Sequence, residues 1–228
     1  MLVKPGLLME THSSSTFTER ATQAMGGLSP LYYVDFTTNR AIAGGVDVGA
    51  ISSIPSISGT LDLSSAGHFV DAADNGIIIP VTGVTYPLTM MVEYIRNTDT
   101  GSNEIIARLD DGDATDYVQQ IINSSDQARF AVTATTPQAQ VNSVATITLG
   151  QTYRTAARCN TNSAQMALGG VLSTEATVVT LPANPTRLVV GMDSAGANAN
   201  FVGYIRELAI VSNITSTDGQ LVAAALAA

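Results

Sequence analysis

The 228-residue chain is predicted to be mainly β: a two-sheet antiparallel β-sandwich with an N-terminal extended arm and a short C-terminal helix. Three observations carry this expectation. Short apolar runs recur at roughly 8–12-residue spacing between Gly, Asn, Asp and Pro, the punctuation of a strand-rich sandwich. Past residue 31 only the tail at 216–226 reads as a helix. No self-similar period is visible, which removes propellers and solenoids. With 45% hydrophobic residues, the chain has enough apolar surface for a core of ordinary size.

Residues 1–30 stand apart. They are polar, rich in Ser and Thr, and broken at Pro5-Gly6, Gly26-Gly27 and Pro30. Residues 17–25 can make two helical turns that stop at the glycine pair, but the segment carries too little apolar surface to form a core alone. It reads either as an arm that orders on another subunit or as a disordered tail. The body, 31–228, opens on an aromatic run at 31–36. Gly44, Gly45, Gly49, Pro55 and Gly59 then keep any strands up to residue 65 short.

Strand-like runs follow at 67–70, 76–81 and 88–96. Residues 104–109 and 117–123 flank an Asp-rich turn whose Asp111-Gly112 pair is a hairpin signal. Runs at 128–133, 140–148, 151–159, 164–168 and 187–191 continue the series. The last, at 200–211, alternates in two stretches whose phase changes near Arg206-Glu207, as at a bulge. Ser216 or Thr217 caps the closing helix.

Ten basic residues against nineteen acidic ones leave a net charge of −9. Phosphate backbones repel such a chain, so neither nucleic acid nor an anionic membrane is an expected partner. Charged residues are 13% of the sequence, against about 25% in ordinary soluble domains. Lys4 is the only lysine, beside 27 threonines and 30 alanines. A surface of hydroxyls and small side chains suits a β-rich protein packed among partner subunits, copies of itself included.

Cys159 is alone, so no intramolecular disulfide forms. No run approaches the ~18 apolar residues of a membrane span. Leu7-Leu8-Met9 is too brief for a signal-peptide core, and synthesis in a cytoplasm without export is the expectation.

Few residues suggest chemistry. His68 lies near Asp71 and Asp74 in sequence, yet no serine in a nucleophile-elbow context accompanies it; no catalytic residue is expected. Asp110, Asp111, Asp113 and Asp116 are weak calcium candidates, because one loop offers several carboxylates. They lack the order of an EF-hand loop, and a solvated hairpin tip accounts for them equally well; otherwise no cofactor is expected. Sugar binding needs aromatic platforms and planar polar groups. The chain has no Trp, five Phe and seven Tyr, and Tyr86, Tyr94, Tyr117, Tyr153 and Tyr204 cannot be ranked from sequence.

Residues 150–228 carry a resemblance. Gly150-Gln151-Thr152-Tyr153 precedes a strand, Met166-Ala167-Leu168-Gly169-Gly170 ends in a hairpin, and Leu188-Val189-Val190-Gly191 follows. Then come Phe201-Val202-Gly203-Tyr204-Ile205-Arg206-Glu207-Leu208 and a turn into the final helix. In order and spacing this resembles the C-terminal half of the concanavalin A-like (laminin-G-like) jelly roll. A second stretch, Tyr33-Val34-Asp35-Phe36-Thr37-Thr38-Asn39-Arg40, is similar to the segment that leads into such a jelly roll in tailed-bacteriophage virion proteins. The Arg-Ala-Ser/Thr element usual after it there is missing.

The resemblance implies a non-enzymatic phage virion structural protein, a head decoration or tail-associated, joined to other virion proteins through residues 1–30. The alternative it implies is a host-surface glycan-binding module used for attachment. Glycosidases of this superfamily carry Glu-x-Asp-x-x-Glu on one strand. Here Glu10, Glu19, Glu93, Glu104, Glu175 and Glu207 each lack an acidic residue two positions away, so period-2 pairing on one face is absent and a hydrolase is not expected.

Overall fold

The computed structural model describes residues 16–71, 75–193 and 201–226. Helix α1 (Phe17–Ala24) precedes the meander β1 (Tyr32–Asp35), β2 (Arg40–Ala43) and β3 (Val46–Gly49). The glycine-rich passage carries only short strands: β4 (Ser58–Gly59), β5 (Leu63–Ser64), β6 (Gly67–Val70) and β7 (Ile77–Pro80). Longer ones follow as β8 (Leu88–Thr98), β9 (Glu104–Asp110), β10 (Asp116–Ile122), β11 (Gln127–Ala134) and β12 (Thr136–Thr146). The series closes with β13 (Thr152–Asn160), β14 (Ser163–Leu168), β15 (Val171–Leu172), β16 (Arg187–Val190) and β17 (Val202–Ser212), then helix α2 (Asp218–Ala224).

The strands form the expected two antiparallel sheets. The first runs β15-β14-β13-β8-β17-β1-β2-β3, with β6 paired to β17 and to β5; the second runs β12-β11-β10-β9-β16-β7-β4. Alternate side chains point between them. Met90, Val92 and Tyr94 of β8 share one buried core with Leu109, Val118, Phe130 and Leu188 of the second sheet. A polar strut crosses this core: the Gln120 amide donates to the Met90 carbonyl at 2.8 Å and accepts from the Thr155 hydroxyl. Both groups are buried, and pairing removes most of their desolvation cost.

The phase change in β17 is a bulge. Its register against β8 slips between Ile205 and Glu207, so Ile205 and Leu208, three apart, both reach the core. Arg206 and Glu207 are consequently both left for the outer face of the first sheet.

The segment 33–40 has a physical logic. Asp35 stops β1 by accepting from the Thr37 and Thr38 amides and from both hydroxyls, at 2.6–3.1 Å. Phe36 turns inward and stacks on His68, ring centroids 5.5 Å apart. Asn39 takes φ +55°, a conformation asparagine tolerates, and its side chain accepts from the Ile51 amide at 3.2 Å.

Residues 17–28 are not an extended arm. Phe17, Ala21, Met25 and Leu28 are buried against Tyr33, Ile42, Met91, Ala156, Ala209 and Val211 on the outer face of the first sheet, together with Leu221 and Ala224 of α2. The spacing 17, 21, 25 places the first three on one side of the helix and its cap, and Leu28 returns to the same patch after the Gly26-Gly27 turn, both glycines at positive φ. The apolar stripe is short, but the sheet supplies the partner it lacks alone. A capping box between Thr16 and Glu19 starts α1, and Arg158 pins the start of α2 through the Ser216 carbonyl and Asp218, both at 2.6 Å. The proposed arm residues 1–15 lie outside the described residues.

His68 is a structural residue. It is fully buried; its Nδ1 accepts from the Asp62 amide at 3.2 Å and its Nε2 donates to the Asn75 carbonyl at 2.6 Å. Burial holds its pKa below the usual 6.5, and a proton on Nδ1 would face a backbone N–H. The unfolded chain therefore takes up this proton first as pH falls, and native stability drops below about pH 6.5. Urea midpoints between pH 7.5 and 5.5 are expected to decline in the native sequence and to flatten in His68→Gln. An unchanged slope in the variant would count against this assignment.

Candidate functional site

The outer face of the second sheet gathers planar polar side chains. Cross-strand register sets them in rows: Arg187, Asp110, Tyr117 and Thr133 in one, then Arg108, Gln119, Ala131 and Gln140, then Arg129 beside Asn142. Interior positions Val118 and Phe130 alternate with these, because successive residues of a strand face opposite sides.

Two features stiffen the face. The Arg108 guanidinium lies 3.8 Å from the centroid of the Tyr117 ring, a cation–π contact. Arg108 also donates to Asp110 at 2.8 Å and to the Asp113 carbonyl at 3.1 Å, while Arg187 holds the other Asp110 oxygen. Arg129 is oriented by a 2.8 Å hydrogen bond to Asn142. Gln119 differs from its neighbours. Its Oε1 is buried and has no hydrogen-bond partner, an arrangement that ordinarily costs about 1–3 kcal/mol.

The four calcium candidates do not converge. Asp110 is fully buried and committed to two arginines. Asp111 accepts from the Asp113 amide at 2.9 Å. The Thr115 amide and hydroxyl bond Asp113 and keep its carboxyl below the usual range. Asp116 opens β10. Among the described residues, no group of three His, Cys, Asp or Glu side chains is placed to hold a metal ion.

The five tyrosines separate. Tyr94 is buried edge-on to Phe201, and the Tyr153 hydroxyl accepts from the Thr148 amide at 2.9 Å. Tyr86 packs against the core with its hydroxyl buried, and Tyr204 lies against Phe69 on the first sheet at 5.1 Å. Only Tyr117 of these joins the polar face. Gln119, Arg129, Gln140 and Asn142 escaped the sequence reading. Their signal was the period-2 recurrence of planar polar residues, Tyr117 with Gln119 and Gln138 with Gln140 and Asn142. Cys159 is buried and its thiol is pushed up to about 12, so it is inert.

Carboxylates do meet, but across strands. On the outer face of the first sheet Arg154 is opposite Glu93, Glu93 opposite Glu207, and Glu207 opposite Asp35. Arg154 donates to Glu93 at 2.8 Å and to Glu207 at 2.6 Å, and Arg206 takes the second Glu93 oxygen at 2.8 Å. Arg154 thus bridges the two glutamates, and burial, with Glu93 and Asp35 close by, holds the Glu207 carboxyl above the usual range.

Residues 71–218 match the family described as the Concanavalin A-like lectin/glucanases superfamily. Among solved structures, the carbohydrate-binding module CBM40 of a Ruminococcus gnavus sialidase, bound to α2,3-sialyllactose, is similar with a TM-score of 0.52 at 12% identity, over 61% of this chain and 82% of that one. The binding domain of botulinum neurotoxin serotype D gives 0.63 at 10% identity, over 88% of this chain and 52% of that one. Trypanosoma rangeli sialidase gives 0.58 at 10% identity, over 84% and 32%. At such identities the likeness is one of fold. No curated protein sequence matches the chain.

Proposed function

The chain belongs to the concanavalin A-like lectin/glucanase superfamily, and from that premise we propose that it is a non-catalytic glycan-binding module carried by a tailed-phage particle and used for attachment to host-surface carbohydrate. The observation that carries the binding reading is the outer face of the second sheet. Gln119 presents a buried acceptor without a partner, beside the Arg108–Tyr117 pair and the exposed amides of Gln140 and Asn142. Sugar hydroxyls supply acceptors and donors for the exposed amides, and a rotation of the half-buried Gln119 side chain would bring its oxygen within reach of a sugar donor. That CBM40 was solved with sialyllactose supports this choice of ligand class. No metal is part of this reading, and the chelator arm below tests that.

The particle setting is supported by the 33–40 segment and by the composition, poor in charged residues and rich in Thr and Ala. In this reading residues 1–30 join the module to neighbouring virion proteins, with residues 17–28 staying packed on the sheet.

Glycan-array binding of the full chain, repeated in chelator, is the test. Binding is expected in both conditions. Gln119→Leu is expected to lose at least about tenfold in affinity, roughly 1.4 kcal/mol, while its melting temperature holds or rises because an unmet acceptor has been removed. Flat arrays, or full affinity in the variant, would remove the glycan reading. Mass spectrometry of purified phage particles tests the setting separately: the chain should be present in fixed ratio to other virion proteins.

A further inference from the structure

The outer face of the second sheet differs in charge from the chain as a whole. The sequence carries a net charge of −9. Yet the outward positions of β9–β12, with Arg187 of the adjoining β16, hold three guanidiniums, Arg108, Arg129 and Arg187, against one carboxylate, Asp110. Arg108 and Arg187 are both spent on Asp110. Arg129 is not. Among the described residues no carboxylate forms an ion pair with it.

The Arg129 guanidinium is held in place. It stands opposite Ile121 of β10 on one side and Asn142 of β12 on the other. The Asn142 Oδ1 accepts from Arg129 Nε at 2.8 Å and from the Asn123 amide at 3.3 Å. This leaves the two terminal nitrogens, Nη1 and Nη2, with no hydrogen-bond partner among the described residues. The side chain is half-buried and Ile121 is 3% exposed, so water screens the charge poorly on that flank.

Carboxylates in the neighbourhood are engaged or distant. Asp126, three residues earlier, is bound to Arg96 at 2.6 Å. Over the edge of β12, Glu175 shares a groove of about 320 Å³ with Gln140 and Asn142. It is exposed and accepts from the Ser163 hydroxyl, where solvent screens it. The 110–116 turn begins at Asp110, opposite Tyr117. Four residues of β10 separate Tyr117 from Ile121, roughly 13 Å along the strand and more than a Debye length of about 10 Å.

Resting on the glycan reading, we propose that the sugar bound on this face is acidic and that Arg129 takes its carboxylate. Nη1 and Nη2 form a planar fork that matches the two carboxylate oxygens. Ile121 and the half-buried Ile105 opposite it on β9 offer an apolar strip to the C–H face of the ring. The exposed Gln140 amide meets its hydroxyls. A neutral sugar leaves the guanidinium to water; a carboxylate offsets its charge. Uronates and sialates share this chemistry.

Two matched pairs, trigalacturonate with its methyl ester and sialyllactose with lactose, are titrated into the full chain by calorimetry at low salt. The acidic member of at least one pair is expected to bind at least about tenfold more tightly than its neutral partner, and the pair that shows the preference names the sugar class. Added salt should shrink the preference severalfold. Arg129→Gln should erase it, and Arg129→Lys should keep only part, because an ammonium lacks the fork. The melting temperature of Arg129→Gln should match that of the native chain, since Asn142 retains its bond from Asn123. Gln119→Leu should weaken both members of a pair and leave their ratio as it was. Neutral glycans bound as tightly as acidic ones, or a preference that survives Arg129→Gln, would overturn this inference and leave the glycan reading standing. Flat arrays would remove both.

Discussion

Replacing Arg96 with alanine is expected to destabilise the protein by about 3–5 kcal/mol, the usual cost of stranding one member of a buried ion pair. Arg96 is 2% exposed and Glu104 fully buried, and the two are joined by paired hydrogen bonds of 2.9 and 2.7 Å. The same guanidinium reaches Asp99 at 2.8 Å and Asp126 at 2.6 Å. Glu104 in turn accepts from the Thr100 amide and hydroxyl, both at 3.0 Å. One side chain thus ties the end of β8, the start of β9 and the turn before β11. Without it Glu104 keeps its charge in a dry site and the hairpin loses its closure. Asp99, 48% exposed, is the control: Asp99→Ala should cost no more than about 1 kcal/mol, as surface pairs do. Urea unfolding of both variants decides the matter. Equal losses would mean that the buried pair has no special weight.

The second large effect concerns α1. Phe17→Ala is expected to cost about 3 kcal/mol or more, in line with emptying a buried aromatic site. The ring is 4% exposed, lies 5.4 Å from that of Tyr33, and sits beneath Arg40. A chain begun at Leu31 should fare worse. It would uncover Tyr33, Ile42, Met91 and Val211 as one contiguous apolar patch, and such patches drive association. Size-exclusion chromatography should show aggregates, and calorimetry a lowered melting temperature. A monomeric truncated chain melting with the full one would show that the leading segment is dispensable to the body.

The sandwich was legible because its signals are local. Asp111-Gly112 announced the hairpin between β9 and β10, which the register confirms. The slip at Arg206-Glu207 was visible as a change of alternation, and Thr217 caps α2 through a box with Gln220. Where local reading misled, the missing quantity was a partner. The stripe of Phe17, Ala21, Met25 and Leu28 looked too small for a core because the sheet that completes it begins at residue 32. Asp110 looked like a free carboxylate of the 110–116 turn because Arg187, 77 residues on, could not be seen beside it.

Charge pairing shows the same division. A rule that looked two residues along one strand found no second carboxylate near Glu93, whereas the sheet sets Glu207 opposite it from 114 positions away in the chain. Where strands lie along the chain, turn position and which residues of a strand share a face followed from the amino-acid sequence alone, since steric preference and period-2 burial act between near neighbours. Which charges meet, where the polar face lies and how α1 is held were decided only by the tertiary structure. Those contacts depend on which strands become adjacent, and adjacency is chosen by the burial of whole faces across the molecule.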